Sequence, residues 1–464
     1  MTRKLTLPIV VLAGAFTLSG CQILPKFFTP AAPVPASYPA GDSSKPVADI
    51  EWNEFFQNPD LREAISAALT NNRDLRTAIL RIEEARALYN IQRADELPTI
   101  NATAGGSSSR QFLANNRIKG TAYQVGLGLS AFELDFFGRV KNLSEAALAQ
   151  YMATEEARRA FQISLIGEVA KAWLTERALA EQKLLAERTL KGRESSRELV
   201  KKRLDAGIAN ALEFQQTETL VHSARVSLLS LRRQHAVAVN ALTLLTGSST
   251  KLPPQTAMLS KQVITADIGA GLPSDLLAHR PDIRAAEQRL RSSQANIAAA
   301  RAAFFPRISL TAGVGLASGE LSSLFDSNSR TWSFSPQLVL PIFDNGRNKS
   351  GLSLAEVRSN IAIADYEKTI QVAFREVADA LAARETLAEE IDAQKAVRDA
   401  QLERLTLAQA RYQNGIANYL DVLDAERELF NAEQALVQSQ LLRLTNAVDL
   451  YRSLGGGLTE AGKQ

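Results

Sequence analysis

Two aspartates, Asp421 and Asp424, stand three residues apart just beyond a Gly415-Ile416-Ala417-Asn418 turn, a spacing that sets both carboxylates on one face of a helix. A pair of this kind can hold cations and repel anions, or sit solvated near a helix start where the dipole favours negative charge. Other chemistry is scarce. One Cys and three His (His222, His235, His279) exclude a disulfide framework and multi-Cys metal sites, and leave little for imidazole ligation. There is no HExxH; Gly313-Val314-Gly315-Leu316 lacks the third glycine of a dinucleotide loop, and Lys349-Ser350 precede the second glycine of Gly346 to Gly351, so no P-loop forms. His222 and His235 fall on or beside an apolar seam and read as packing residues. No catalytic residue, metal or cofactor is expected, and no enzyme.

The elements that must position those carboxylates belong to a 464-residue chain with 53 basic and 50 acidic residues, a formal charge of +3. This balance gives no polybasic field, so nucleic acid is not an expected partner. With 45% hydrophobic and 22% charged residues the chain can bury a core.

Arg3 and Lys4 precede an apolar stretch from Leu5 to Leu18, too short to span a bilayer as a helix and suited to a cleaved signal peptide over residues 1–20. It ends Leu18-Ser19-Gly20-Cys21, which resembles the lipobox of bacterial lipoproteins, where the Cys becomes the lipidated first residue. Gln22 follows it; the absence of Asp there favours the outer membrane. Pro25, Pro30, Pro33, Pro35, Pro39 and Pro46 make residues 21–51 an extended tether.

Sliding the sequence against itself by 208 residues aligns its punctuation without gaps. Pro98, Gly105 and Gly138-Arg139 fall on Pro306, Gly313 and Gly346-Arg347. Arg203 with Gly207-Ile208-Ala209-Asn210 falls on Arg411 with Gly415-Ile416-Ala417-Asn418, and Gly247 on Gly455. The chain is two copies of one unit: residues 52–247 and 274–457, joined by a linker at 248–273 and followed by a tail at 458–464.

Each unit should begin with a helix, Leu61 to Glu96 in the first, opened by Asn58 as N-cap and Pro59. Two short strands follow. Their apolar residues alternate: Tyr123, Val125, Leu127, Leu129 and Ala131 share a face in one, and Trp332, Phe334, Leu338 and Leu340 in another. Ser107 to Thr121 and Ser318 to Arg330 read as polar loops. A Pro-free stretch from Lys141 to Asp205 would make a helix of roughly 100 Å. It turns at Gly207 and returns from Ala211 to Thr246 along a seam of Leu220, Ala224, Leu228, Leu231, His235, Ala238, Leu242 and Leu245. Two shorter helices end to end would match the long one.

Four strands cannot close a barrel, and an open sheet with one apolar face leaves unpaired edges. Copies must combine. An apolar face opposite one of Gly, Ser and Gln suits an outer-membrane barrel, and three copies would supply twelve strands. The expected fold is therefore an α+β membrane protein, mostly a long α-helical coiled-coil barrel plus four β-strands per protomer.

Trp52-Asn53-Glu54-Phe55-Phe56 with Pro59 and Leu61, Leu75 after Asn71-Asn72, and Glu133-Leu134-Asp135-Phe136-Phe137-Gly138-Arg139 resemble the TolC-like outer membrane factors, specifically the NodT-type lipoprotein branch in multidrug efflux. Arg280-Pro281-Asp282-Ile283, Gly415 to Asp424, and Leu450-Tyr451-Arg452-Ser453-Leu454-Gly455-Gly456-Gly457 extend that resemblance over essentially the whole mature chain. It implies a homotrimeric channel-tunnel: a twelve-stranded barrel in the outer membrane, a periplasmic helical barrel, an equatorial belt, and a covalent lipid such as palmitate on Cys21. Implied partners are outer-membrane lipid, a periplasmic adaptor (membrane fusion) protein and an inner-membrane pump, often of the resistance-nodulation-division type, which supplies the transport energy. Drugs or other small toxic compounds would be the cargo. By the same resemblance Asp421 and Asp424 would form a periplasmic gate, with Glu213 and Gln216 at the equivalent first-repeat positions, and Tyr412 or Arg411 could tie the closed state to Glu213 or Asp421. Arg203, Gly207, Ile208 and Asn210, with Arg411, Gly415, Ile416 and Asn418, would be tips that meet the adaptor. A type I secretion or heavy-metal conduit of this fold, or a lipid-anchored periplasmic scaffold without a pore, are the alternatives.

Overall fold

The computed structural model describes residues 27–35, 37–38, 50–113, 116–248, 259 and 273–456, with backbone alone at 111–113, 116–119 and 273–275. Cys21, the expected signal peptide at 1–20, most of the 248–273 linker and the 458–464 tail lie outside the described residues. Apart from one short leading helix, the same succession of α-helices and strands occurs twice among the described residues. The first runs α1 (Trp52–Phe55), α2 (Pro59–Asn71), α3 (Arg73–Ala94), β1 (Ile100–Leu113), β2 (Asn116–Leu134), α4 (Arg139–Asp205) and α5 (Ala211–Thr246). The second runs α6 (Pro273–His279), α7 (Pro281–Ala302), β3 (Arg307–Ser318), β4 (Arg330–Val339), α8 (Arg347–Gln413) and α9 (Tyr419–Ser453).

Two compact units cut across this order, each drawing on both repeats. One, chiefly Ala87–Ala149 and Arg291–Asn360, holds all four strands. The other, Thr29–Arg86, Gln150–Leu290 and Ile361–Gln464, holds the helical hairpins.

In the strand unit the sheet order is β1-β2-β3-β4, antiparallel throughout, with β2 and β3 joining the repeats. Its apolar side chains are uncovered: Trp332 is 80% exposed, Val314 64% and Phe334 60%. Two strand expectations need correction. Ser107–Leu113 and Asn116–Thr121 are not loop, because their backbones pair from Ser107↔Ala122 to Leu113↔Asn116. Polar composition argues against burial but does not prevent a ladder whose side chains face water. Ala131 does not continue the Leu129 face; it sits in a β-bulge at φ 48°, where the register shifts between Leu129 and Phe132. The extra residue keeps Phe132 and Leu134 opposite Leu310 and Ile308, on the apolar side, and the Ala131 N–H donates to the Thr311 hydroxyl at 3.2 Å.

In the hairpin unit α4 and α8 have 67 residues each and α5 has 36. The seam buries Ala224, Leu228, Leu231 and Leu242. His235 departs from it as a polar residue: its Nε2 lies 2.8 Å from Oε1 of the buried Glu176, whose other oxygen accepts from Arg177 at 2.5 Å. The single helix expected from Leu61 to Glu96 is broken. Asn72 leaves helical geometry at ψ 128°; its Oδ1 accepts from Leu75 N and its Nδ2 donates to Leu245 O at 2.9 Å. A side chain that caps one helix start and one helix end competes well with a continuous helix. The second repeat breaks at the equivalent Arg280, ahead of Pro281. There the guanidinium donates to Ser453 O at 2.8 Å, the counterpart of Leu245. Asn58 caps α2 as expected, accepting from Asp60 and Leu61.

Candidate functional site

The hairpin tips are built from the turn residues upward. Gly207 and Gly415 adopt φ of 72° and 71°, and the next amides reach back: Ile208 N to Arg203 O at 2.8 Å, Ile416 N to Arg411 O at 2.9 Å. These contacts close the long helices with left-handed glycine turns. Asn210 and Asn418 then open the return helices, accepting from Glu213 N and Asp421 N at 2.9 and 3.3 Å. Ile208 and Ile416 are left exposed, as is Arg411. Each tip therefore combines a side chain held by a cap with an apolar one facing outward.

Tyr412 joins the two tips. Its hydroxyl donates to Glu213 Oε1 at 3.0 Å, its ring centroid lies 4.7 Å from the Arg203 guanidinium, and Tyr419 packs 4.8 Å away. Burial, then the Glu213 carboxylate, raises the Tyr412 pKa, so the hydroxyl keeps the proton it donates. Burial pushes Tyr419 up to about 12.

The paired carboxylates have unlike surroundings. Asp421 is exposed. Asp424 is held from two helices, by Arg404 of α8 at 2.5 Å and by Arg427 of α9. Gln216 occupies the matching first-repeat position, so only the second hairpin carries this clasp. Two residues further, burial raises the Glu426 pKa against the opposing effect of Arg193, and Arg193 is itself lowered by burial.

Sequence reasoning named Asp421, Asp424, Glu213 and Tyr412 and missed both arginines. Arg427 was accessible as the i+3 neighbour of Asp424; Arg404, on another helix, carried no local signal. Near the N-terminus, the Phe28 backbone N–H donates to Gln294 Oε1 at 3.2 Å and its carbonyl accepts from Gln294 Nε2 at 2.9 Å, and Arg291 lies 4.4 Å from the Phe27 ring centroid. Among the described residues no group of His, Cys, Asp and Glu is arranged to hold a metal ion, and no helix is long and apolar enough to cross a membrane.

Long paired hairpins in one unit and, in the other, an open sheet with a bare apolar face define a class of protein that meets a membrane through strands. The outer membrane efflux protein family model matches residues 64–248 and again 272–456, so both ends of the second match lie 208 residues beyond the first. Outer membrane protein OprJ of Pseudomonas aeruginosa is 47% identical, over 99% of this chain and 97% of its own. The toluene efflux pump outer membrane protein TtgC of Pseudomonas putida is 44% identical, over 96% and 94%. Among solved structures, the open-state MtrE outer membrane channel of Neisseria gonorrhoeae superposes with a TM-score of 0.87 at 40% identity, covering 96% of this chain and 100% of that one. This chain belongs to the outer membrane efflux protein family. It is an outer-membrane efflux component of TolC-like fold.

Proposed function

We propose that three copies of this chain form one channel-tunnel, each giving four strands to a twelve-stranded barrel through the outer membrane and its hairpins to a periplasmic duct. The observation that carries this reading is the sheet. Among the described residues β1 and β4 each have one strand partner, and the apolar face of Trp332, Phe334 and Val314 is exposed, an arrangement that a lone chain would leave open on both counts. Pooling three sheets pairs every edge and turns that face to lipid.

Drugs or other small toxic compounds would enter from an inner-membrane pump of the resistance-nodulation-division type through a periplasmic adaptor that docks on the exposed Ile208 and Ile416 tips. The relative named for toluene efflux fits that cargo class. The pump supplies the energy, so the duct itself carries out no catalytic step. Cys21 carries the lipid; it lies six residues before Phe27, within about 20 Å of that residue. The docking of Phe27 and Phe28 on α7 would therefore hold the anchor beside the strand unit.

The acidic gate is the working part. Asp421 presents a bare carboxylate that threefold symmetry would repeat around the axis, while the Asp424 clasp holds α8 to α9 within the second hairpin and the Tyr412 tie holds that hairpin to the first. Asp421→Ala with Asp424→Ala is expected to raise single-channel conductance in planar bilayers and to weaken cation selectivity. Wild-type conductance and selectivity in the double variant would count against the gate. A purified protein that stays monomeric and electrically silent would remove the channel altogether.

A further inference from the structure

Within the strand unit, a cavity of about 690 Å³ opens where β2 gives way to α4, lined also by the end of α3. Phe132 and Leu134, on the apolar side of the sheet, form one wall, and Phe136, 61% exposed, stands at the same end. The β1 ladder stops at Ile100↔Leu129, so past Leu129 that edge of β2 has no strand partner among the described residues. The apolar wall thus continues the side of the sheet that carries Leu127 and Leu129.

The rest of the lining is charged, and its groups fall into two sets. Glu133 accepts from Arg139 at 2.8 and 2.6 Å, Asp135 accepts from Lys141 N at 2.8 Å, and Asp95 accepts from Gln92 at 2.9 Å. These carboxylates serve the chain itself. The side chains of Arg93, Lys141, Glu96 and Glu145 make no hydrogen bond or ion pair among the described residues. Two uncommitted cations and two uncommitted carboxylates therefore share one cavity with an apolar wall. A simple anion would meet the carboxylates and a simple cation the basic groups, whereas a ligand that carries both signs can satisfy all four.

Position along the strand narrows that ligand further. Eleven residues separate Tyr123 from Leu134, about 36 Å of strand and roughly 28 Å once tilted, close to the ~25 Å apolar band of a lipid-facing barrel. The charged lining begins where that band ends, at the level of headgroups.

We propose that this cavity holds the headgroup of a zwitterionic phospholipid, phosphatidylethanolamine, of the periplasmic leaflet. Its phosphate lies against Arg93 and Lys141, its ammonium against Glu96 and Glu145, and an acyl chain runs along Phe132 and Leu134. The proposal rests on the channel reading, which turns the apolar side of the sheet to lipid and the helices to the periplasm.

The test titrates the full-length protein in detergent with phosphatidylethanolamine and with phosphatidylglycerol, which keeps the phosphate and lacks the ammonium, and counts bound lipid by native mass spectrometry. The wild type should bind phosphatidylethanolamine roughly tenfold more tightly, the sum of two exposed charge contacts. E96Q/E145Q should abolish that preference, and R93Q/K141Q should weaken both lipids by roughly tenfold, while each variant conducts as the wild type does. Equal affinity of the wild type for the two lipids, or wild-type binding by either variant, would overturn the proposal. So would a variant that dissociates where the wild type does not, because the charges would then serve a neighbouring subunit. A wild type that never conducts is a separate result and defeats the channel reading itself.

Discussion

The two repeats solve one backbone problem by different chemistry and diverge where charge matters. At the break, Asn72 and Arg280 are equivalent; each reaches the last carbonyls of its return helix, at Leu245 and Ser453. Asn72 does this as a neutral amide. Arg280 brings a buried charge, which Asp282 and Glu376 bind at 2.6 and 2.9 Å; despite burial, these carboxylates raise its pKa. At the tips, turn glycines and capping asparagines are shared, but Tyr412 and Asp424 stand opposite Leu204 and Gln216. Duplication preserved the hydrogen-bond geometry of helix ends, which any chain must satisfy. Ionic contacts, which it need not make, were free to differ.

The break offers the largest contrast. Arg280→Met should destabilise the protein by about 3 kcal/mol, because it strands Asp282, leaves Glu376 with Arg452 alone and uncaps a carbonyl. Asn72→Ala should cost about 1 to 2 kcal/mol, since it removes only a cap and one acceptor's partner. Denaturant unfolding measures both, and equal losses would erase the distinction between the repeats.

The neighbouring glycines come next. A methyl on Gly247, at φ 67°, would lie 2.4 Å from Asn71 O, whereas one on Gly455 would lie 3.2 Å from His279 O. Gly247→Ala should therefore cost more than Gly455→Ala, each within about 1 to 3 kcal/mol for a strained backbone. The reverse order in unfolding experiments would contradict the equivalence of the two sites.

At the tips, Tyr412→Phe keeps the ring packing and removes the donor to Glu213, a change of about 1 kcal/mol. Its readout is channel open probability, which should rise; truncating Leu204 should leave that probability alone.

The smallest effect concerns pH. Burial raises the folded pKa of Glu426 above the ordinary carboxylate range near ~4.3, so the stability that its protonated form contributes is present below that value and lost as pH rises through the raised one. Glu426→Gln should flatten this part of the profile and raise stability at neutral pH. Its counterpart Glu218 lies 3.7 Å from Arg197 and 3.3 Å from His222, so Glu218→Gln should not produce that gain. The difference between wild-type and variant melting across pH isolates each effect.

How much was legible depended on the range of the interaction. The return helix Ala211–Thr246, the Asn58 cap and the tip turns all follow from residues within a few positions of one another. The Asn72 break did not stand out, because an apolar period runs through it and Asn in a helix is only mildly unfavourable; its reason lies 173 residues away at Leu245. The pairing of Ser107–Leu113 with Asn116–Ala122 was hidden by composition, since backbone hydrogen bonds leave little trace in a polar stretch. His235 was assigned by its place on a seam, yet Glu176 on another helix decides its role.

By itself the sequence determined the duplication, the order of helical and strand-forming stretches in each copy, the unlike faces of the strands and the turns at the hairpin tips, because periodicity, caps and glycine geometry act locally. Only the tertiary structure decided which charges meet: Arg404 on Asp424, Arg280 on Glu376, Tyr412 on Glu213. A charge or a hydroxyl can accept many partners, and the choice falls to whichever helix packing brings within hydrogen-bond reach.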